Sequence, residues 1–149
     1  MDTPQVQIDR SFTLSLNAPP DVAIKAFGAV AEQGWDPDWH PRFIFPQEPE
    51  DREGAVFNVG DEAHPQTWLY ATWDMHDRVV RYVAFDPGEK ISVITITVSP
   101  DGAGHSLANV HYQRTGLSLD GDTQIQRWAD HFVDERPHWQ SAINRYLAG

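Results

Sequence analysis

The chain has 149 residues, no cysteine and a formal net charge of −11, with 11 basic side chains against 22 acidic ones. A length like this is most simply one domain, residues 1–149, which can bury roughly 68–70% of its unfolded surface without staples. The missing cysteines exclude disulfides, thiolate chemistry and Cys-based zinc sites, and the acidic balance argues against nucleic acid, whose phosphates need a basic face.

No apolar run approaches the ~18 residues of a membrane span. MDTPQVQIDR carries neither the apolar core nor the leading positive charge of a signal peptide, so a soluble, cytoplasmic protein is expected. Six Trp, seven Phe and four Tyr stand out, because large aromatics line cores and apolar pockets alike.

The first element is VQIDRSFTLSL. Val6, Ile8, Phe12, Leu14 and Leu16 share one face, with Arg10 as the exception, and Gln7, Asp9, Ser11, Thr13 and Ser15 take the other. Period two over this length predicts a half-buried strand. It stops at NAPPD, where two prolines withdraw donors and Pro20 suits a first helical turn. DVAIKAFGAV then predicts a short helix with Val22, Ala26, Phe27 and Val30 on one side. AEQGWDPDWHPRF is too rich in Gly and Pro for regular structure and predicts a tight turn and a loop.

From residue 43 the pattern is strand and turn repeated. FIFPQEPE, AVFNVGD, QTWLYATWDM, RVVRYVAFD, ISVITITVS and SLANVHYQRTGLS are enriched in β-branched and aromatic residues and are separated by turn chemistry. In two of them the wet face is explicit: Thr95 and Thr97 oppose Ile94, Ile96 and Val98, and Asn109, His111 and Gln113 oppose Ala108, Val110 and Tyr112. The count is seven strands, one before the short helices and six after. LDGDT offers Asp120 or Asp122 as an N-cap, and a closing helix is predicted to run to about Leu147.

At about 100° per residue, Ile125, Trp128, Phe132, Trp139, Ile143 and Tyr146 fall within roughly 60° of one another. A sheet wet on one face must cover its other face, and only this helix is long enough. At ~1.5 Å per residue it spans roughly 40 Å, ample to cross the sheet. Pro137 removes the bond to the Val133 carbonyl and predicts a kink or break there.

This order resembles that of the START-like, or Bet v 1-like (SRPBCC), helix-grip superfamily over residues 6–147. FTLSLNAPPDVAIKAF is similar to its first strand and helix, and GWDPDWHPRFIFP resembles the Trp- and Pro-rich connection of an uncharacterised bacterial branch. The resemblance implies an α+β fold: a curved seven-stranded antiparallel sheet wrapped around a long C-terminal helix, with two short helices after strand 1. It also implies a mainly apolar cavity between sheet and helix, entered past the short helices. Members include lipid and hormone carriers, polyketide cyclases and Hsp90 co-chaperones, so the fold does not settle the function.

On this geometry the expected ligand-binding residues are Trp35 and Trp39 at the portal and Phe57, Trp68, Tyr70, Tyr82 and Tyr112 on the strands. Trp128, Phe132, Arg136 and Trp139 join them from the helix. Arg136 falls about 20° from Ile125, inside the apolar stripe, and Glu135 lies at its margin. A charge there is costly unless paired, so it either snorkels to water or meets a ligand's polar end. His131, Glu135 and His138, at i, i+4 and i+7, could in principle hold a metal; solvated salt bridging is the expected role, and no metal or cofactor is expected.

GxSxG, GxGxxG, phosphate-cradling and HExxH motifs are absent. What remains is acid/base chemistry in a cavity, with Glu135, His111 and Arg136 as catalytic candidates and Tyr82 or Tyr112 as donors. Three functions compete: binding or transport of a small hydrophobic or aromatic ligand, a cyclase- or dehydratase-like enzyme, and a protein-interaction domain. The expected partner is a small apolar or aromatic molecule, with no nucleic acid and no membrane insertion, and a homodimer is left open.

Overall fold

A computed structural model describes residues 6–149; residues 1–5, on which part of the signal-peptide reading falls, lie outside the described residues. Seven strands form one antiparallel sheet: β1 (Gln7–Leu16), β2 (Arg42–Phe45), β3 (Val56–Val59), β4 (Gln66–Asp74), β5 (Val79–Asp86), β6 (Lys90–Pro100) and β7 (Ser106–Gly116). Their spatial order is β1-β7-β6-β5-β4-β3-β2, so β1 reaches across to pair with the last strand. Two short helices, α1 (Pro20–Ala23) and α2 (Ala29–Glu32), follow β1, and α3 (Leu119–His131) and α4 (Arg136–Leu147) close the chain.

Alternation decides which face is buried. Phe12, Leu14 and Leu16 on β1, Val80, Tyr82 and Ala84 on β5, Ile94, Ile96 and Val98 on β6, and Ala108, Val110 and Tyr112 on β7 all point inward and are buried. Their neighbours in sequence point to water. The terminal helices lie on the inner face, where Ile125, Phe132 and Ile143 are buried with the sheet residues. Among the described residues, no helix is long and apolar enough to cross a membrane.

Several expectations are corrected. The segment after β1 is not one helix: a 3-10 turn (Ile24–Phe27) follows α1, and the chain straightens at Gly28 before α2. Val22 is consequently 51% exposed. FIFPQEPE contributes only Phe43, Ile44 and Phe45 to β2, which ends before Pro46, where a donor is withdrawn. Ser118 caps α3 by accepting the Gly121 N–H at 3.0 Å, because Asp122 is turned inward to accept the Val6 N–H at 3.3 Å.

The closing element is two helices. A 3-10 turn (Phe132–Glu135) separates α3 from α4, and Pro137 sits in the first turn of α4, where its missing donor costs nothing. The break re-aims the second half, which leaves Tyr146 39% exposed. Side-chain amides of α4 reach the edge of β1. Gln140 Oε1 accepts the Ser15 N–H at 2.9 Å, Asn144 Oδ1 accepts the Asn17 N–H at 2.8 Å, and Asn144 Nδ2 donates to the Ser15 carbonyl at 3.0 Å.

Candidate functional site

Two hollows meet on the inner face. The inner one, about 200 Å³, lies under the short helices and is lined by Phe27, Glu32, Asp36, Trp39, Trp68, Tyr82, Ile94, Ile96, Tyr112 and Trp139. The outer one is a groove of about 500 Å³ between β7 and the α3–α4 region, lined by Tyr112, Arg114, Gln124, Arg127, Trp128, His131, Phe132, Glu135 and Trp139. Tyr112 and Trp139 belong to both, so they form the partition between them.

The walls are rings packed on rings. Trp39 meets Trp68 edge-on at 5.3 Å, and Trp68 meets Tyr82 at 5.4 Å. On the groove side Tyr112, Trp128 and Phe132 lie 4.9–5.8 Å from one another. Such edge and offset contacts fix ring orientation beyond simple burial.

The portal loop is held by its own indoles. Trp35 Nε1 donates to the Ala26 carbonyl at 2.8 Å and Trp39 Nε1 to the Ala29 carbonyl at 2.9 Å. Trp39 lines the inner hollow. Trp35 does not: it packs on the far side of Trp139 at 5.7 Å.

Phe57 and Tyr70 are packed behind the wall, 0% and 1% exposed. The Tyr70 hydroxyl donates to Asp51 Oδ1 and accepts the Ala29 N–H at 3.1 Å, while the same Asp51 oxygen accepts the Val30 N–H at 2.9 Å. Burial and the adjacent Asp51 carboxylate push the Tyr70 hydroxyl well above its ordinary pKa. Gly28 lies against this clamp, and a Cβ there would collide with the Asp51 carboxylate. Tyr82, also raised by burial, donates to the Phe27 carbonyl at 2.8 Å.

Of the catalytic candidates, Glu135 lines the open groove. His111 faces outward, with Nε2 3.9 Å from the Asp9 carboxylate. Arg136 lines neither hollow; it is half-buried and reaches Gln140 Oε1 at 3.4 Å, as a snorkelling side chain would. His131 and Glu135 share the groove's wall and His138 is exposed beyond it; no cluster of three His, Asp or Glu able to hold a metal occurs among the described residues.

Four polar residues of this region went unread in the sequence. Glu32 and Asp36 enter the inner hollow from the end of α2 and the turn after it, where the Asp36 N–H donates to the Glu32 carbonyl at 2.8 Å. Desolvation, reinforced by the Asp36 charge, pushes the Glu32 carboxyl up to about 8. Arg114 and Ser92 face each other across β7 and β6. Arg114 was legible: the inward row Ala108, Val110, Tyr112 continues to it at period two. Ser92 continues the inward row Ile94, Ile96, Val98 in the same way, and nothing local marks Glu32 and Asp36.

The architecture superposes on norcoclaurine synthase from Thalictrum flavum with a TM-score of 0.70 and 12% identity, covering 96% of this chain and 87% of that one. Ara h 8.0201 matches with a TM-score of 0.64 and 12% identity, over 97% of this chain and all of that one. The fold is Bet v 1-like. A third protein of this Bet v 1-like shape, of unknown function and from Staphylococcus aureus, gives a TM-score of 0.70 at 11% identity, covering 96% of this chain and 94% of that one. No protein-family model and no curated protein matches the sequence, so the likeness is one of backbone, and function rests on this Bet v 1-like chain's own side chains.

Proposed function

We propose that the protein binds a small, largely apolar or aromatic molecule in the space between the sheet and the C-terminal helices. One observation carries the reading: an inner hollow and an open groove, both walled by rings, meet at Tyr112 and Trp139. A filled core would close this space with side chains. The groove falls in the ~300–1,000 Å³ range of small-molecule sites, and it sets the rings of Tyr112, Trp128, Phe132 and Trp139 beside the polar side chains of Arg114, Gln124, Arg127, His131 and Glu135. A neighbour of the same fold, norcoclaurine synthase from Thalictrum flavum, has been seen in complex with dopamine and hydroxybenzaldehyde, which are aromatic ligands of that protein.

Native mass spectrometry of freshly purified protein, repeated after denaturation, tests the reading. An adduct of a few hundred daltons, present natively and released on denaturation, is expected. Protein that is free of adduct, and unmoved in melting temperature by a panel of apolar aromatics and fatty acids, would overturn it.

A second reading, an acid/base enzyme of the cyclase or dehydratase kind, is favoured by Glu32. A carboxyl pushed up to about 8 inside a hollow holds its proton at neutral pH and can give it to a bound carbonyl or hydroxyl, then take one back. Tyr82 and Tyr112 line the same hollow as further hydroxyls. Once a ligand is in hand, E32Q separates the readings: an enzyme keeps its affinity and loses turnover, whereas a carrier keeps both its affinity and the intact ligand.

A further inference from the structure

Arg114 is a guanidinium in an unusual position. It sits on the inner face of the sheet, in line with Val110 and Tyr112, yet no carboxylate meets it. Arg52, Arg78 and Lys90 each lie 3.1–3.5 Å from a carboxylate oxygen. Arg114 has no such partner among the described residues, and its Nε is buried with no acceptor. Two rings hold it instead: the guanidinium carbon stands 4.5 Å from the Trp128 ring centre and 5.1 Å from that of Tyr112. The carboxylate that acts on it through space, Asp86, is already engaged by Lys90 Nζ at 3.1 Å and Gln66 Nε2 at 2.7 Å.

The residue opposite repeats the pattern. Ser92, paired with Arg114 across the β6–β7 ladder, is 1% exposed, and its hydroxyl also lacks a partner. Side chains directly opposite on antiparallel strands have Cβ atoms about 4.5–5.5 Å apart. One rung therefore presents two adjacent side chains, the half-buried Arg114 and the buried Ser92, each with a buried atom that nothing answers; among the described residues the other such side-chain atom is Arg78 Nε. A buried cation without a counter-charge is costly. It is sensible where the counter-charge arrives with a ligand, and a guanidinium flattened against rings already has the planar fork that a carboxylate matches.

We propose that Arg114, on the groove wall and backed by Ser92, is a carboxylate-binding site, and that the molecule taken up in the groove is an organic acid with an aromatic or apolar body. This rests on the small-molecule reading given above and narrows it. The acid group pairs with Arg114, and the body lies along Trp128, Phe132 and Trp139. A net charge of −11 gives acids no general attraction to this protein, so the preference must be local.

The test is a matched pair of probes on the wild-type protein. Titration calorimetry with 2-naphthoate and with neutral 2-naphthamide, which share a body and differ in charge, reads the contribution of the acid group. Naphthoate is expected to bind at least about tenfold more tightly, as a charge-assisted hydrogen bond implies, and the advantage is expected to shrink as salt is added. R114Q removes the advantage, so that its affinities for the two probes converge; R114K, a point charge without the fork, keeps part of it. Near-UV circular dichroism confirms that each variant is folded, and the wild-type pair stands without them. Equal binding of the two probes overturns the carboxylate site but leaves the small-molecule reading in place. An advantage undiminished in R114Q overturns the role of Arg114, and binding of neither probe overturns the carboxylate site, while the small-molecule reading stands or falls by native mass spectrometry and the ligand panel.

Discussion

Two polar regions sit within the same fold and are treated in opposite ways. Behind the wall, the Asp51 carboxylate, the Tyr70 hydroxyl and the amides of Ala29 and Val30 answer one another completely. On the face of the hollows, Glu32 is held with its pKa far from its ordinary value, and Arg114, with Ser92 behind it on the next strand, has a buried atom with no partner. Burial alone does not separate structure from site. The separation lies in whether the partners are supplied by the chain, because an unanswered buried group is retained at a cost to stability.

The largest expected effect is on Glu32. Its pKa is raised from 4.5 to about 8 in the folded protein, so folding favours its protonated form. The sign follows: its contribution is intact below about pH 4.5 and is lost as the pH climbs to about 8. At about 1.4 kcal/mol per unit, the loss across that window is on the order of 4 kcal/mol. Urea unfolding of wild type and E32Q at pH 5, 6, 7 and 8 reads it as a steeper decline in the wild type. Parallel declines would place Glu32 with the satisfied groups and break the contrast.

D51A comes next. It strips the acceptor from a buried hydroxyl and a backbone amide at once, for an expected loss of about 3 kcal/mol, measured as a shifted urea midpoint. G28A approaches the same clamp by steric means, since its Cβ must displace the Asp51 carboxylate; about 2 kcal/mol is expected. Combined with D51A, the two losses should fall well short of additive, because both empty the same contact. R114Q should be the mildest, within about 1 kcal/mol of wild type in either direction, because no partner is orphaned. A large loss there would assign Arg114 a structural role.

Much of the frame was legible because period two survives in β1, β6 and β7, and because the stripe Ile125, Trp128, Phe132 has one place to go. The break after His131 was half legible: Pro137 announced an interruption, but a proline in the first turn of a new helix and one kinking an old helix look alike in sequence. The cap was read as Asp120 or Asp122 and is Ser118, because local propensity cannot see that Asp122 is drawn inward to Val6. The site was read less well. Its rings were named, with Phe57, Tyr70 and Trp35 placed too far inside, since an aromatic facing a cavity and one packed behind it have the same pattern. Glu32 and Asp36 acquire their surroundings only when a Pro-rich turn folds over the sheet.

The amides of Gln140 and Asn144 have a consequence for how the molecule behaves in company. A sheet with open ends offers unpaired backbone to any other extended chain, and β1 is such an end. By answering the backbone of Ser15 and Asn17 from α4, these two side chains close that part of the edge to strand addition. At the opposite end β2 has only four residues, too short a template to recruit much. Losing either amide would leave the binding space untouched and show itself instead as clouding of a concentrated, warmed solution.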